Sequence, residues 1–282
     1  MDNYPKHVPS VKEFRHKAEI PLLALGVLLT TAVTFGALYV VLRGDTLSSF
    51  AEGVVFGLAT PLIVSFFIRY HYWNTISSAI EVTERQFPEI HSIYIEIAHA
   101  MGFHHDASGL RKLPRLYITN GNGKMNAFAS KCQLHRGYVV LFSDLVDIAY
   151  THGDFKTLRF ILAHELAHIR CGHVNLWRTI ITPVTTALFL DRSVTRAQEY
   201  TADRVACFYA PGDYKGMISL YAGKHLGKHV DLDEYFRSID SHKNGFWLRV
   251  ANFFSTHAVG YRRMKTLRET DLKGWNIHGK ML

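Results

Sequence analysis

Two histidines one helical turn apart, with a glutamate directly after the first, are the residues of this chain best suited to chemistry: His164-Glu165-Leu166-Ala167-His168. On a helix, positions i and i+4 share a face, so the two imidazoles project side by side and can hold one divalent ion. Zinc suits nitrogen ligands in a tetrahedral site that keeps one position for water. Glu165 stands about 100° round the helix from His164, beside that water rather than on the metal. There it can take the water's proton and pass it to a leaving amine, so the pentapeptide reads as a hydrolase centre. The bland alternative is a solvated helix face in a chain with 17 His. The neighbours Ile161, Leu162, Ala163, Leu166, Ala167 and Ile169 are too apolar for that. Polar groups here are expected to be buried and to need partners.

The elements that must position these residues can be read around them. Phe155, Leu158, Leu162 and Ile169 recur with helical spacing, Asp154 stands where an N-cap belongs, and Gly172 stands where a helix stops. Upstream, Leu116 to Thr119, Asn126 to Ser130 and Tyr138 to Phe142 read as short strands, with a turn at Asn120-Gly121-Asn122-Gly123. They form a small sheet whose edge could accept a substrate as an added strand. Downstream, Thr195 and Gln198 resemble a capping box that opens a helix through Phe208. Glu199 and Asp203 share a face of that helix. Spacing alone leaves two readings level: a third ligand followed by an acceptor for a ring N–H, or an exposed acidic pair. Thr179 to Leu190 is uncharged but too short to span a membrane, and is expected to pack in the core or at an interface.

At the N-terminus a polar tail, residues 1–19, carries Lys6, Lys12, Arg15 and Lys17. Ile20 to Val41 then runs without a charge, about 33 Å as a helix against about 30 Å of hydrocarbon. Phe50 to Ile68, whose one charge is Glu52 near its start, reads as a second span. The two make a transmembrane hairpin over residues 20–70. Gly53 and Gly57 form a small-xxx-small pattern, expected to pack the hairpin on itself. The Lys and Arg bias places both chain ends in the cytoplasm. Ile76, Ile80 and Val82 suggest a linker helix over 71–86, and the soluble domain is expected over 87–282, its first helix opening at Pro88. The net charge of +8 comes from scattered Lys and Arg and accompanies no nucleic-acid motif, so it fits a lipid bilayer rather than a nucleic acid as partner. Three widely spaced cysteines, Cys132, Cys171 and Cys207, offer no disulfide framework and fit a reducing compartment.

The ordered set His164-Glu165-Leu166-Ala167-His168-Ile169, Gly172-His173 and Glu199-Tyr200-Thr201-Ala202-Asp203 resembles the M48 family of zinc metallopeptidases, which includes HtpX and the CAAX prenyl protease. Asn126-Ala127-Phe128-Ala129 is similar to that family's strand ahead of the metal helix, and Arg196 to its arginine before the third ligand. Ser255-Thr256-His257 with Arg263-Met264 and Leu267 resembles its C-terminal pattern, with Ala258 where the family usually has proline.

The resemblance implies an α+β chain, in which a transmembrane hairpin precedes a mainly helical, zincin-type domain with a small β-sheet. It implies one Zn2+ per chain on His164, His168 and Glu199, with Glu165 as general base and Asp203 behind a ligand. His257 would donate to the oxyanion. Arg263, or Arg262 beside it, would orient the substrate backbone or brace an acid of the site. The expected activity is endopeptidase action on polypeptides, as in membrane-protein quality control, by a two-span protein of a bacterial inner membrane with its catalytic domain in the cytoplasm. A non-catalytic, zinc-stabilised membrane adaptor that binds peptides is the alternative.

Overall fold

The computed structural model describes residues 8–43, 49–107, 111–131, 137–242, 245–255 and 260–281. The chain is mainly helical around a small mixed sheet. A short α1 (Val11–Phe14) precedes the long α2 (Glu19–Leu42) and α3 (Ser49–Ile76). Then come β1 (Ile80–Glu81), α4 (Pro88–Ala100), β2 (Arg115–Thr119), β3 (Ala127–Lys131), β4 (Gly137–Phe142), α5 (Ser143–His152) and α6 (Lys156–Arg170). After these follow α7 (Leu176–Ala187), α8 (Leu190–Tyr209), α9 (Ser219–Ala222), α10 (Leu232–His242), α11 (Phe246–Phe254) and α12 (Gly260–Lys273).

The sheet has the order β1-β2-β4-β3, with β2 and β4 parallel and the other pairs antiparallel. Strand β4 is buried on both faces, as its unbroken apolar run Tyr138 to Phe142 requires. Val139 and Leu141 point into the main core with Ile90 and Ile97 of α4 and Leu158, Leu162 and Leu166 of α6. Tyr138 and Val140 face the other way, where Tyr72 and Ile76 of α3 cover them. Helix α3 therefore ends on the sheet. The linker helix expected over 71–86 is instead the last turns of α3 followed by β1, whose Ile80 pairs with Ile118. Ile76, Ile80 and Val82 fit helical and strand spacing alike, and pairing with β2 decided between them.

Helix α6 is buried on almost every side. Its N-cap is Phe155, which makes no side-chain cap, rather than Asp154 as expected; Asp154 stands one residue further out, where its Oδ1 accepts the Lys156 N–H at 3.0 Å. Gly172 takes φ +75° at the exit, as expected. Helix α8 departs from expectation. It opens at Leu190, after Phe189 in the left-handed conformation (φ 58°), and Thr195 lies within it. The Thr195/Gln198 pattern is overridden because the chain turns sharply out of α7 and starts a new helix at once. Helix α7 does not enter the main core. It lies against α2, α3 and α8, with Ile181 joining Leu23 and Val194 in a separate small cluster.

Among the described residues one stretch, Glu19–Val40, is long and apolar enough to cross a membrane by length and composition. It packs closely on a neighbour at Gly26, where an added Cβ would meet Thr185 Cγ2 of α7 at 2.8 Å and Ile181 Cδ1 at 3.5 Å. A Cβ at Gly53 or Gly57 would meet nothing within 4 Å, so the small-xxx-small pattern of α3 is not where the long helices pack. Replacing Gly26 by valine should part α2 from α7 and cost about 1–3 kcal/mol through overpacking. Thermal melting of the purified chain checks this, and Gly57→Ala should not lower the midpoint.

Candidate metal centre

The site lies where α6 crosses α8 beside the outer strand β3. Its groups are held by burial: His164, Glu165 and Glu199 are each less than a tenth exposed. His164 Nε2 and His168 Nε2 are 3.1 Å apart, and the Glu199 carboxylate places Oε2 3.5 Å from the first and Oε1 3.5 Å from the second. A tetrahedral ion bound at about 2.0–2.1 Å would separate its ligand atoms by roughly 3.4 Å. The three donors thus converge on one point at the spacing a zinc ion needs, and among the described residues they are the group able to hold a metal.

Charge leads to the same conclusion. Glu165, Glu199 and Asp203 are three buried carboxylates, and Arg263 supplies one positive charge against them. Buried charge persists only when compensated. A divalent cation between the ligand atoms would offset the remaining negative charge, so the residues present fit the metal.

The structure separates Glu199 from Asp203. Glu199 faces both Nε2 atoms, whereas Asp203 Oδ1 lies 2.9 Å from His164 Nδ1, on the far side of that ring. With Nε2 turned to the metal position, Nδ1 carries the proton and donates it to Asp203, which fixes the tautomer and the ring plane. Asp203 is held in turn by Arg263, whose Nε donates to Oδ2 at 2.8 Å and Nη2 to Oδ1 at 2.7 Å. Burial alone would raise the Asp203 pKa, but Arg263 and His164 hold it below the usual carboxylate range. Arg263 thus braces an acid of the site, while Arg262 Nε turns to Tyr261 Oη. His257 lies outside the described residues.

Glu165 is not among the converging donors, yet it lines the same cleft. Burial, with Glu199 nearby, pushes its carboxyl up to about 7 against the pull of His164 and Arg263, and the Ala129 backbone N–H reaches it from β3. A carboxylate tuned near neutrality is suited to take and return a proton. The cleft has a volume of about 350 Å³, with Asn126, Ala127, Phe128 and Ala129 along one wall.

Four further residues, to which the sequence reading gave no role at the site, bear on it. Arg196, fully buried, donates through Nη1 to the carbonyls of Asn252, Phe253 and Ser255, closing the end of α11 just before the His257 segment. Gln198 lines the cleft, and its Nε2 is buried without a hydrogen-bond partner among the described residues. His173 and Glu19 stand behind His168. A helical repeat would have found Gln198 beside Glu199, but no local signal joins Glu19 to a helix so far along the chain. For the brace behind His164, Asp203→Asn should weaken metal binding about 10–100-fold, measured by chelator competition.

The sequence profile of peptidase family M48 matches residues 84–181 and 175–271, more than half of the chain. A protein named "Protease HtpX homolog" from Helicobacter pylori is 27% identical over 222 residues, 64% of this chain and 66% of that protein. Another of the same name from Dictyoglomus thermophilum is 24% identical over 163 residues, 55% of this chain and 50% of its own length. "Plastoglobule-localized metallopeptidase 48, chloroplastic" from Arabidopsis thaliana is 22% identical over 162 residues, 52% of this chain and 43% of that one. The match thus spans between under half and about two thirds of these relatives' lengths, and no solved structure matches. With His164, His168 and Glu199 brought together where they could hold a metal ion, this chain belongs to peptidase family M48, a family of metallopeptidases.

Proposed function

We propose that the chain is a membrane-anchored, zinc-dependent endopeptidase of polypeptide substrates. One observation carries the reading: buried Glu165 lines the same cleft as three converging donors without being one of them. His164, His168 and Glu199 would hold the zinc, which when bound supplies Lewis acidity toward a peptide carbonyl and acidifies water. Glu165 takes the proton of the attacking water and delivers it to the leaving amine. Asp203 and Arg263 keep His164 in the tautomer that ligation needs. The outer edge of β3, from Asn126 to Ala129, aligns a substrate as an added strand along the cleft, and Gln198 Nε2 offers it a donor. His257 is assigned the oxyanion. A peptide-binding adaptor would have no use for Glu165, and family membership favours the enzyme.

The anchor is the hairpin of α2 and α3, with the metallopeptidase domain, of zincin type, beginning near Phe87. In support, Leu28, Phe35, Leu42, Phe56, Leu62 and Phe66 are exposed on these helices, a surface suited to lipid rather than water. The Lys and Arg bias supports a cytoplasmic domain, as in a bacterial inner membrane, where turnover of damaged membrane proteins is a fitting task.

Glu165→Gln should keep its zinc and lose about 10²–10⁴ in turnover, and a chelator should abolish activity until zinc is restored. Peptide cleavage at the wild-type rate by Glu165→Gln, or in metal-free protein, would reject the mechanism. Protease protection in sealed vesicles should leave residues 44–48 on one side and both chain ends on the other. Opposite protection of the two ends would reject the hairpin.

A further inference from the structure

Among the described residues, His168 has no carboxylate directly behind it. Its Nδ1 lies 2.9 Å from His173 Nδ1, and the far nitrogen of that ring, Nε2, faces Glu19 Oε1 at 3.2 Å, short of ideal hydrogen-bond alignment. If His168 Nε2 is a ligand, the protons along this line have one arrangement. His168 Nδ1 bears hydrogen and donates to His173 Nδ1, which leaves His173 Nε2–H turned to the Glu19 carboxylate. A metal-ligating histidine is oriented by what its other nitrogen meets. Here that role passes through a second imidazole to a carboxylate at the first turn of α2.

Glu19 is fully buried and is itself held from two sides. Arg15 pairs with it, and the Thr201 hydroxyl of α8 lies 2.5 Å from its Oε2. Arg15 also donates to the Cys171 carbonyl at the end of α6 at 2.6 Å, so one guanidinium ties the metal-bearing helix to the N-terminal segment. The seat of that segment is completed by the His16 N–H on Thr201 Oγ1 at 2.8 Å and by Arg204 of α8, which donates to the Phe14 and Arg15 carbonyls at 2.7 and 2.9 Å. The residues just before the first long helix, expected to be a polar tail, are therefore built into the back of the metal centre.

We propose that Glu19 and His173 are positioning residues for His168, so that the seating of the N-terminal segment sets how tightly the site holds its metal. This rests on the reading of His168 as a ligand. The experiment is a double-mutant cycle in the full-length purified chain, with zinc affinity measured by chelator competition. Glu19→Gln and His173→Phe should each weaken zinc about 10-fold or more. In the His173→Phe background, Glu19→Gln should add little, because the line is already cut. Were Glu19 only a structural anchor, the two losses would multiply, and that result would overturn the proposal. So would unchanged affinity in His173→Phe. Should Glu19→Gln not fold, His173→Asn decides. It leaves Glu19 its contacts to Arg15 and Thr201, and it must lower zinc affinity while trypsin still spares residues 8–19. Unchanged affinity there also overturns the proposal. His164→Ala and His168→Ala separate the two readings: if neither loses zinc, the site assignment fails, whereas if both do and the cycle is multiplicative, only the positioning role fails.

Discussion

A charge taken out of water must be compensated where it lies, and α8 puts this constraint at the centre of the protein. Arg196, Glu199, Thr201, Asp203 and Arg204 are all buried on that one helix. Together they draw in distant parts of the chain. Arg196 holds the end of α11, Glu199 faces the histidines of α6, and Asp203 pairs with Arg263 of α12. Thr201 and Arg204 take the N-terminal segment, and Arg204 also takes the Trp275 carbonyl and the Asn276 side chain. Much of the packing around the site is thus the answer to polar groups on one helix. Apolar residues of like volume could fill such a space at comparable or greater stability.

The two histidines of α6 are supported unequally. His164 meets a carboxylate directly, and that carboxylate is gripped by an arginine in two-pronged fashion. His168 reaches its carboxylate at one remove, through a neutral ring. The first arrangement joins α6, α8 and α12 within one domain. The second joins α6 to the start of the long apolar helix α2.

Much of this could be read from the residues alone. The α6 pentapeptide, the Glu199/Asp203 pair and the strand ahead of α6 were legible because each is a local pattern of period 3.6 or 2. What misled was also local. Thr195 with Gln198 has the form of a helix start, yet α8 had already begun at Leu190. Gly53 and Gly57 have the form of a helix contact, yet the close approach is at Gly26, because a repeat does not say which face meets a neighbour. Ile80 joined the sheet through a partner far along the chain. That Glu199 rather than Asp203 faces both histidine Nε2 atoms, and that Glu19 stands behind His173, depend on three-dimensional crossings that no spacing encodes.

The seat of the N-terminal segment is closed from the other end of the chain. His16 Nε2 lies 2.9 Å from the Gly279 carbonyl, and the rings of His16 and His278 meet edge to face at 5.2 Å. Contacts between such distant positions are slow to form. While the chain is still emerging from the ribosome, His16 and Arg204 lack the carbonyls that residues 275–279 provide. The seat of the N-terminal segment is therefore finished only when translation has passed Gly279, and the support proposed for His168 is completed among the last parts of the fold.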